Sequence, residues 1–171
     1  MSLKPALNSS DHIEGGEKAK IEIVEFGDYQ CPHCGAAYPI VKEILDTFGN
    51  QIKFVFRNFP LSESHQYAEA AALAAEAAAL QHKFWEMHDA IYERQSHLSE
   101  EFLKTLAKEL DLDLEQFDAD MGSDSVKEKV ESDFESGIRS GVNGTPTFFV
   151  NGERFDGGAM DLYQMLKEST E

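Results

Sequence analysis

Cys31 and Cys34, three positions apart and the only cysteines of a 171-residue sequence, are the residues best suited to covalent chemistry. They lie in Glu25-Phe26-Gly27-Asp28-Tyr29-Gln30-Cys31-Pro32-His33-Cys34-Gly35. The apolar run before them (Ile21, Ile23, Val24, Phe26) reads as a strand, and the one after (Ile40, Val41, Ile44, Leu45, Phe48) as a helix. A chain that leaves a strand and enters a helix at Cys31 sets that sulfur against the unpaired N–H groups and the positive dipole end of the helix, which favours thiolate over thiol. Pro32 has no N–H to leave unsatisfied in a first helical turn, and His33 can add a donor or positive charge beside the sulfur. The expectation is that Cys31 attacks and that Cys34, one turn further in and buried, resolves the mixed disulfide.

Two other readings of the pair are weaker. A structural bridge around two residues removes little chain entropy and stabilises little. Cys-x2-Cys is also half a zinc pattern, and His82 and His88 fall within a metal-type spacing. Those histidines, however, sit far along the chain among Phe84, Trp85 and Ile91, in an ordinary amphipathic helix pattern. The expected site therefore holds no metal and no cofactor beyond a Cys31–Cys34 disulfide.

The length allows one well-buried core with room for a second lobe. A formal net charge of −17 repels nucleic acid and anionic membrane, and no apolar run is long enough to cross a bilayer. The N-terminus lacks the charged segment and apolar core of a secretory leader. The expected location is cytoplasmic for a full-length chain and extracytoplasmic if a leader was removed.

Residues 1–19 are polar, include Gly15-Gly16, and read as a loosely held lead-in. A first sheet half over 20–61 follows: a strand at 20–26, the Cys31 loop, a helix containing Pro39 and stopped by Gly49, and a second strand through Ile52, Phe54 and Phe56. The helix between them implies a parallel, right-handed βαβ unit, and Pro39 implies a kink. Residues 62–141 form a helical lobe: alanine-rich 68–80, the Phe84–Tyr92 face, a helix capped by Ser99 and a short helix capped at Asp113. Val126, Val130, Phe134 and Ile138 recur every four residues and make its last long helix, which Gly141 stops. Residues 142–171 resume the sheet, with Thr147–Val150 turning at Asn151-Gly152 into a hairpin, then a last helix. The class is α/β: a sheet domain interrupted by a helical insertion.

This order, with Cys31-Pro32-His33-Cys34 and Gly144-Thr145-Pro146-Thr147, resembles the thioredoxin-fold DsbA family of thiol:disulfide oxidoreductases, most of all its shorter bacterial members. The resemblance implies Cys31 as nucleophile and Cys34 as resolving thiol, tuned by Pro32 and His33. It implies that Glu25 is a buried acid moving a proton at Cys34, where the strand pattern alone suggests a surface carboxylate. It also implies a cis peptide at Pro146 and a Thr145 backbone that pairs with extended substrate. Implied partners are protein or peptide thiols and disulfides and a redox recycling protein. Gln30 and Thr145 depart from the aromatic and aliphatic residues of the family prototype, so its redox poise does not carry over. A non-catalytic peptide-binding module is the main alternative.

Overall fold

The computed structural model describes residues 1–170; Glu171, the end of the expected last segment, lies outside them. The chain forms two compact units. One comprises residues 1–27, 32–57 and 136 onward, and the other residues 28–31 and 58–135.

The first unit is built on a sheet in the order β1-β3-β2-β4-β5. Its strands are β1 (Ile13–Gly15), β2 (Ile21–Gly27), β3 (Ile52–Asn58), β4 (Thr147–Val150) and β5 (Glu153–Phe155). β2, which leads to the cysteines, is the middle strand. It is joined to its neighbour β3 through helix α1 (Pro32–Phe48), the connection that parallel neighbours need. The other pairs are antiparallel. Ile23, Val24, Phe26, Phe54, Val55 and Phe56 are buried, because a middle strand covered on both faces carries an almost unbroken apolar run. The β4–β5 hairpin turns through Asn151 and Gly152 at φ +49° and +85°, the conformation that makes Asn-Gly a strong hairpin signal. α1 runs through Pro39 as a single helix. It packs against α7 (Ala159–Thr170), where the Phe48 and Tyr163 rings meet edge to face at 6.1 Å.

The lead-in is not loose. Ile13–Gly15 pairs with β3, and the Leu3 amide donates to the Gly152 carbonyl at 2.8 Å. A Cβ on Gly15, at φ +91°, would lie 2.5 Å from the Ile52 carbonyl oxygen, so this glycine serves close approach rather than flexibility. The segment is held by Arg57, whose five donors are all used. They reach both oxygens of Asp11, the Pro5 and Ala6 carbonyls and the Ser136 hydroxyl at 2.8–3.3 Å. The Arg57 and Asp11 side chains are 2% and 1% exposed. A three-residue strand and a long-range ion pair leave no periodicity to read, which is why residues 1–19 read as coil.

The helical unit contains α2 (Ala68–Ala79), α3 (Phe84–Glu93), α4 (Glu100–Glu109), α5 (Leu114–Met121) and most of α6 (Asp124–Arg139). α2 is its axis: seven of its alanines are buried, and α3, α4 and α5 all contact it. Alanine combines high helix propensity with a side chain small enough for close approach. Ser99 and Asp113 cap α4 and α5, accepting from Phe102 N and Gln116 N at 3.0 Å each. In α6 the residues that recur every four positions do not all stay on the buried face, and Ile138 is 56% exposed. A four-residue step overshoots the 3.6-residue turn, so the buried stripe shifts to Val126, Val130, Asp133, Ser136 and Ser140. Among the described residues no helix is long and apolar enough to cross a membrane.

Asp133 is buried beside Glu76, and the Asn58 side-chain amide donates to both acids at 2.8 and 2.9 Å. Burial raises the Asp133 carboxyl above its ordinary 3.8, Lys129 opposes this, and Glu76 adds to it. A raised carboxyl means that the fold favours the protonated form, so its contribution is complete below 3.8 and is lost as pH rises through the folded value. The stability of the protein minus that of Asp133→Asn, from urea unfolding across the acidic range, should therefore fall as pH rises. A constant or growing difference would contradict this assignment.

Candidate active site

Cys31 directly precedes the first helical residue, Pro32, and Cys34 is the third residue of α1. Cys31 is 4% exposed and Cys34 0%. Pro32 and His33 between them are exposed. The expected asymmetry of exposure is present but narrow: Cys31 keeps the only solvent contact of the pair.

Glu25 lies in β2 opposite Phe148 of β4 and is 3% exposed. The surface carboxylate suggested by the strand pattern is therefore corrected in favour of the buried acid that the family resemblance implies. Gly27 makes room for it: a Cβ there would lie 2.4 Å from the Phe56 ring and 3.0 Å from Glu25 Oε2. Thr145 and Pro146 precede β4 and are half-buried, and the bond between them is cis. The next residue, Thr147, donates from its hydroxyl to the Gly144 carbonyl at 2.7 Å and pairs with Phe26, five residues before Cys31. Lys4–Pro5 is also cis, which no motif marked. His82 and His88, the residues of the zinc alternative, both lie in the helical unit. His82 is exposed on the turn before α3, and His88 Nδ1 meets the Tyr29 hydroxyl at 2.9 Å.

Sequence reasoning missed how the four residues from β2 to α1 are held. Asp28, 1% exposed, accepts at Oδ1 from Gln30 N at 2.8 Å and Cys31 N at 3.2 Å. Its carbonyl also accepts from Cys31 N at 3.1 Å. This is an aspartate turn, in which a short side chain replaces a backbone acceptor two residues on. Asp28 Oδ2 accepts from Leu61 N at 2.9 Å and lies 2.7 Å from His65 Nδ1. Gln30, where the prototype has an aromatic residue, accepts from Tyr67 N at 2.7 Å. Gln95 Nε2 donates to the Tyr29 and Cys31 carbonyls at 2.8 and 2.9 Å. Tyr29 is enclosed by His88 and Tyr92, with ring centroids at 5.4 and 5.0 Å. Asp28 in an aspartate-turn spacing before Cys31 was the only legible signal, since its partners lie more than 30 residues away.

The chain belongs to the thioredoxin family, whose match runs over residues 7–167. The structure of BdbD from Bacillus subtilis (oxidised) superimposes with a TM-score of 0.83 at 27% identity, covering 98% of this chain and 94% of that one. A thioredoxin-like oxidoreductase from Silicibacter pomeroyi follows at 0.79 and 26%, covering 95% and 94%. The thiol-disulfide exchange protein alpha-DsbA2 from Wolbachia pipientis has the same fold, with a TM-score of 0.82 at 22% identity over 95% of this chain and 88% of that one. The fold and the Cys31–Cys34 pair are those of a DsbA-like thiol:disulfide oxidoreductase. Among curated relatives, the Na(+)/H(+) antiporter NhaA 1 of Salinispora arenicola is 44% identical over 153 residues, 90% of this chain and 23% of that protein. The Na(+)/H(+) antiporter NhaA of Herminiimonas arsenicoxydans is 40% identical over 92% of this chain and 25% of its own length. The chain thus spans about a quarter of the curated relatives it matches.

Gln95→Ala removes both donors to the Tyr29 and Cys31 carbonyls and should cost about 1–2 kcal/mol of stability. Amide exchange at Gln30 and Cys31 should accelerate with it. Wild-type protection of both amides in the variant would show that Gln95 does not hold this segment.

Proposed function

We propose that the domain exchanges a Cys31–Cys34 dithiol or disulfide with protein thiols through a mixed disulfide at Cys31. The observation that carries this reading is the placement of Cys31 at the N-terminal end of a 17-residue helix with residual exposure, while Cys34, one turn in, has none. In the oxidising direction a substrate thiolate attacks the Cys31 sulfur, the Cys31–Cys34 bond breaks, and Cys34 leaves as a thiolate that takes up a proton. A second substrate thiolate then attacks the substrate sulfur, so substrate loses two electrons to the domain and Cys31 leaves as a thiolate. In the reducing direction Cys31 thiolate attacks a substrate disulfide and expels one substrate sulfur as a thiolate; Cys34 thiolate then attacks the Cys31 sulfur of the mixed disulfide and expels the other, so the domain loses two electrons to substrate. The same atoms serve both directions, and the potential of the recycling protein decides between them.

Glu25 is the proposed proton acceptor and donor for Cys34, a role its burial supports. His33, exposed beside Cys31, and Pro32 are proposed to tune the nucleophile. Thr145 and Pro146, ahead of β4, are the proposed edge for an extended substrate segment. Exchange, and not the sodium–proton antiport in the relatives' names, is the activity proposed for this region. The matched segment makes up about a quarter of each relative and in this chain carries the cysteine pair.

Cys31→Ser should reduce exchange with a reduced or scrambled protein substrate to the uncatalysed background. Cys34→Ser should accumulate a substrate adduct on non-reducing gels that dithiothreitol releases. Full exchange in Cys31→Ser would contradict the mixed disulfide at Cys31, and peptide binding kept by both forms with no exchange by either would instead make the domain a binder.

A further inference from the structure

The Asp28 carboxylate is buried and serves four donors, and two of them, Gln30 N and Cys31 N, belong to the turn that presents the nucleophile. The other two, Leu61 N and His65 Nδ1, belong to the chain entering the helical unit. One side chain therefore fixes the Cys31 backbone within the helical unit, to which Asp28 and Cys31 themselves belong. It also brings charge. With Oδ1 3.2 Å from Cys31 N, covalent geometry leaves the Cys31 sulfur within about 7 Å of a carboxylate oxygen. A buried negative charge at that distance opposes a thiolate, against the pull of the helix N-terminus. Within the helical unit the titratable side chains brought to Asp28 are His65, at 2.7 Å from Oδ2, and Tyr92, whose hydroxyl reaches the Asp28 carbonyl at 3.4 Å.

We infer that Asp28 is a positioning residue for Cys31 whose charge holds the thiol less acidic than the helix N-terminus alone would make it. This deepens the exchange reading and rests on Cys31 being the attacking thiol. A less acidic thiol disfavours the reduced form relative to a fully relaxed thiolate, so Asp28 makes the pair a weaker oxidant.

The test is the pH profile of Cys31 alkylation by iodoacetamide in the reduced full chain, resolved from Cys34 by peptide mass. Asp28→Asn removes the charge and keeps one acceptor oxygen. Its profile midpoint should fall by about one pH unit, equivalent to roughly tenfold more thiolate at a pH below both midpoints. His65→Lys keeps the carboxylate and its bonds to the three amides while setting a fixed positive charge beside it, and its midpoint should fall too. This second variant decides the matter if Asp28→Asn does not fold. An unmoved or raised midpoint in a folded variant overturns the inference and leaves Asp28 as a structural tie. The profile needs no turnover, so a lowered midpoint supports the inference even where exchange with substrate fails, and that failure counts against the exchange reading alone.

Discussion

The structure depends on one turn, in which the chain leaves the middle strand of the sheet and enters α1 within the four residues Asp28–Cys31. Four residues between buried elements leave backbone groups that water cannot satisfy. Asp28, Gln95 and the Asp28 carbonyl supply the partners at Gln30 N, Cys31 N and the Tyr29 and Cys31 carbonyls. These partners all belong to the helical unit, of which Asp28–Cys31 are themselves part, and they set the backbone geometry of Cys31.

Buried charge also occurs in two hydrogen-bonded clusters elsewhere in the molecule. Arg57 and Asp11 form a fork with every guanidinium donor engaged, and Asp133, Lys129, Glu76 and Asn58 form a second cluster. Such networks are strong constraints on geometry even where an apolar core would be as stable, because removing one partner strands the other without water. Arg57 ties down the N-terminal segment within the first unit, and the next residue, Asn58, bonds Asp133 and Glu76 within the second. The strand therefore ends in two adjacent anchors, one in each unit.

How much of this was legible depended on the range of each interaction. Cys31-Pro32-His33-Cys34, the Ser99 and Asp113 caps, the alanine-rich axis and the Asn151-Gly152 turn were readable because their causes lie within a few residues. β1 was not readable, because three residues carry no period and its hold on the fold runs through Arg57, 46 positions from Asp11. The step of four from Val126 to Ile138 marked α6 but not its buried stripe, which follows the 3.6-residue turn. Glu25 was the instructive case: its burial contradicts the strand pattern alone, and the room for it is made by Gly27, which has no side chain to signal anything. The Asp28–His65 contact joins residues 37 apart, and only folding puts them together.

The central claim is that Cys31 and Cys34 act as one reversible two-electron couple. The most direct measurement is equilibration of the chain in a series of glutathione redox buffers, followed by acid quench, alkylation and mass counting of modified thiols. The account predicts one transition between chains with both cysteines alkylated and chains with neither, at a single midpoint potential. Two separate transitions, persistent glutathione adducts at one cysteine, or two alkylated thiols in every buffer would contradict it.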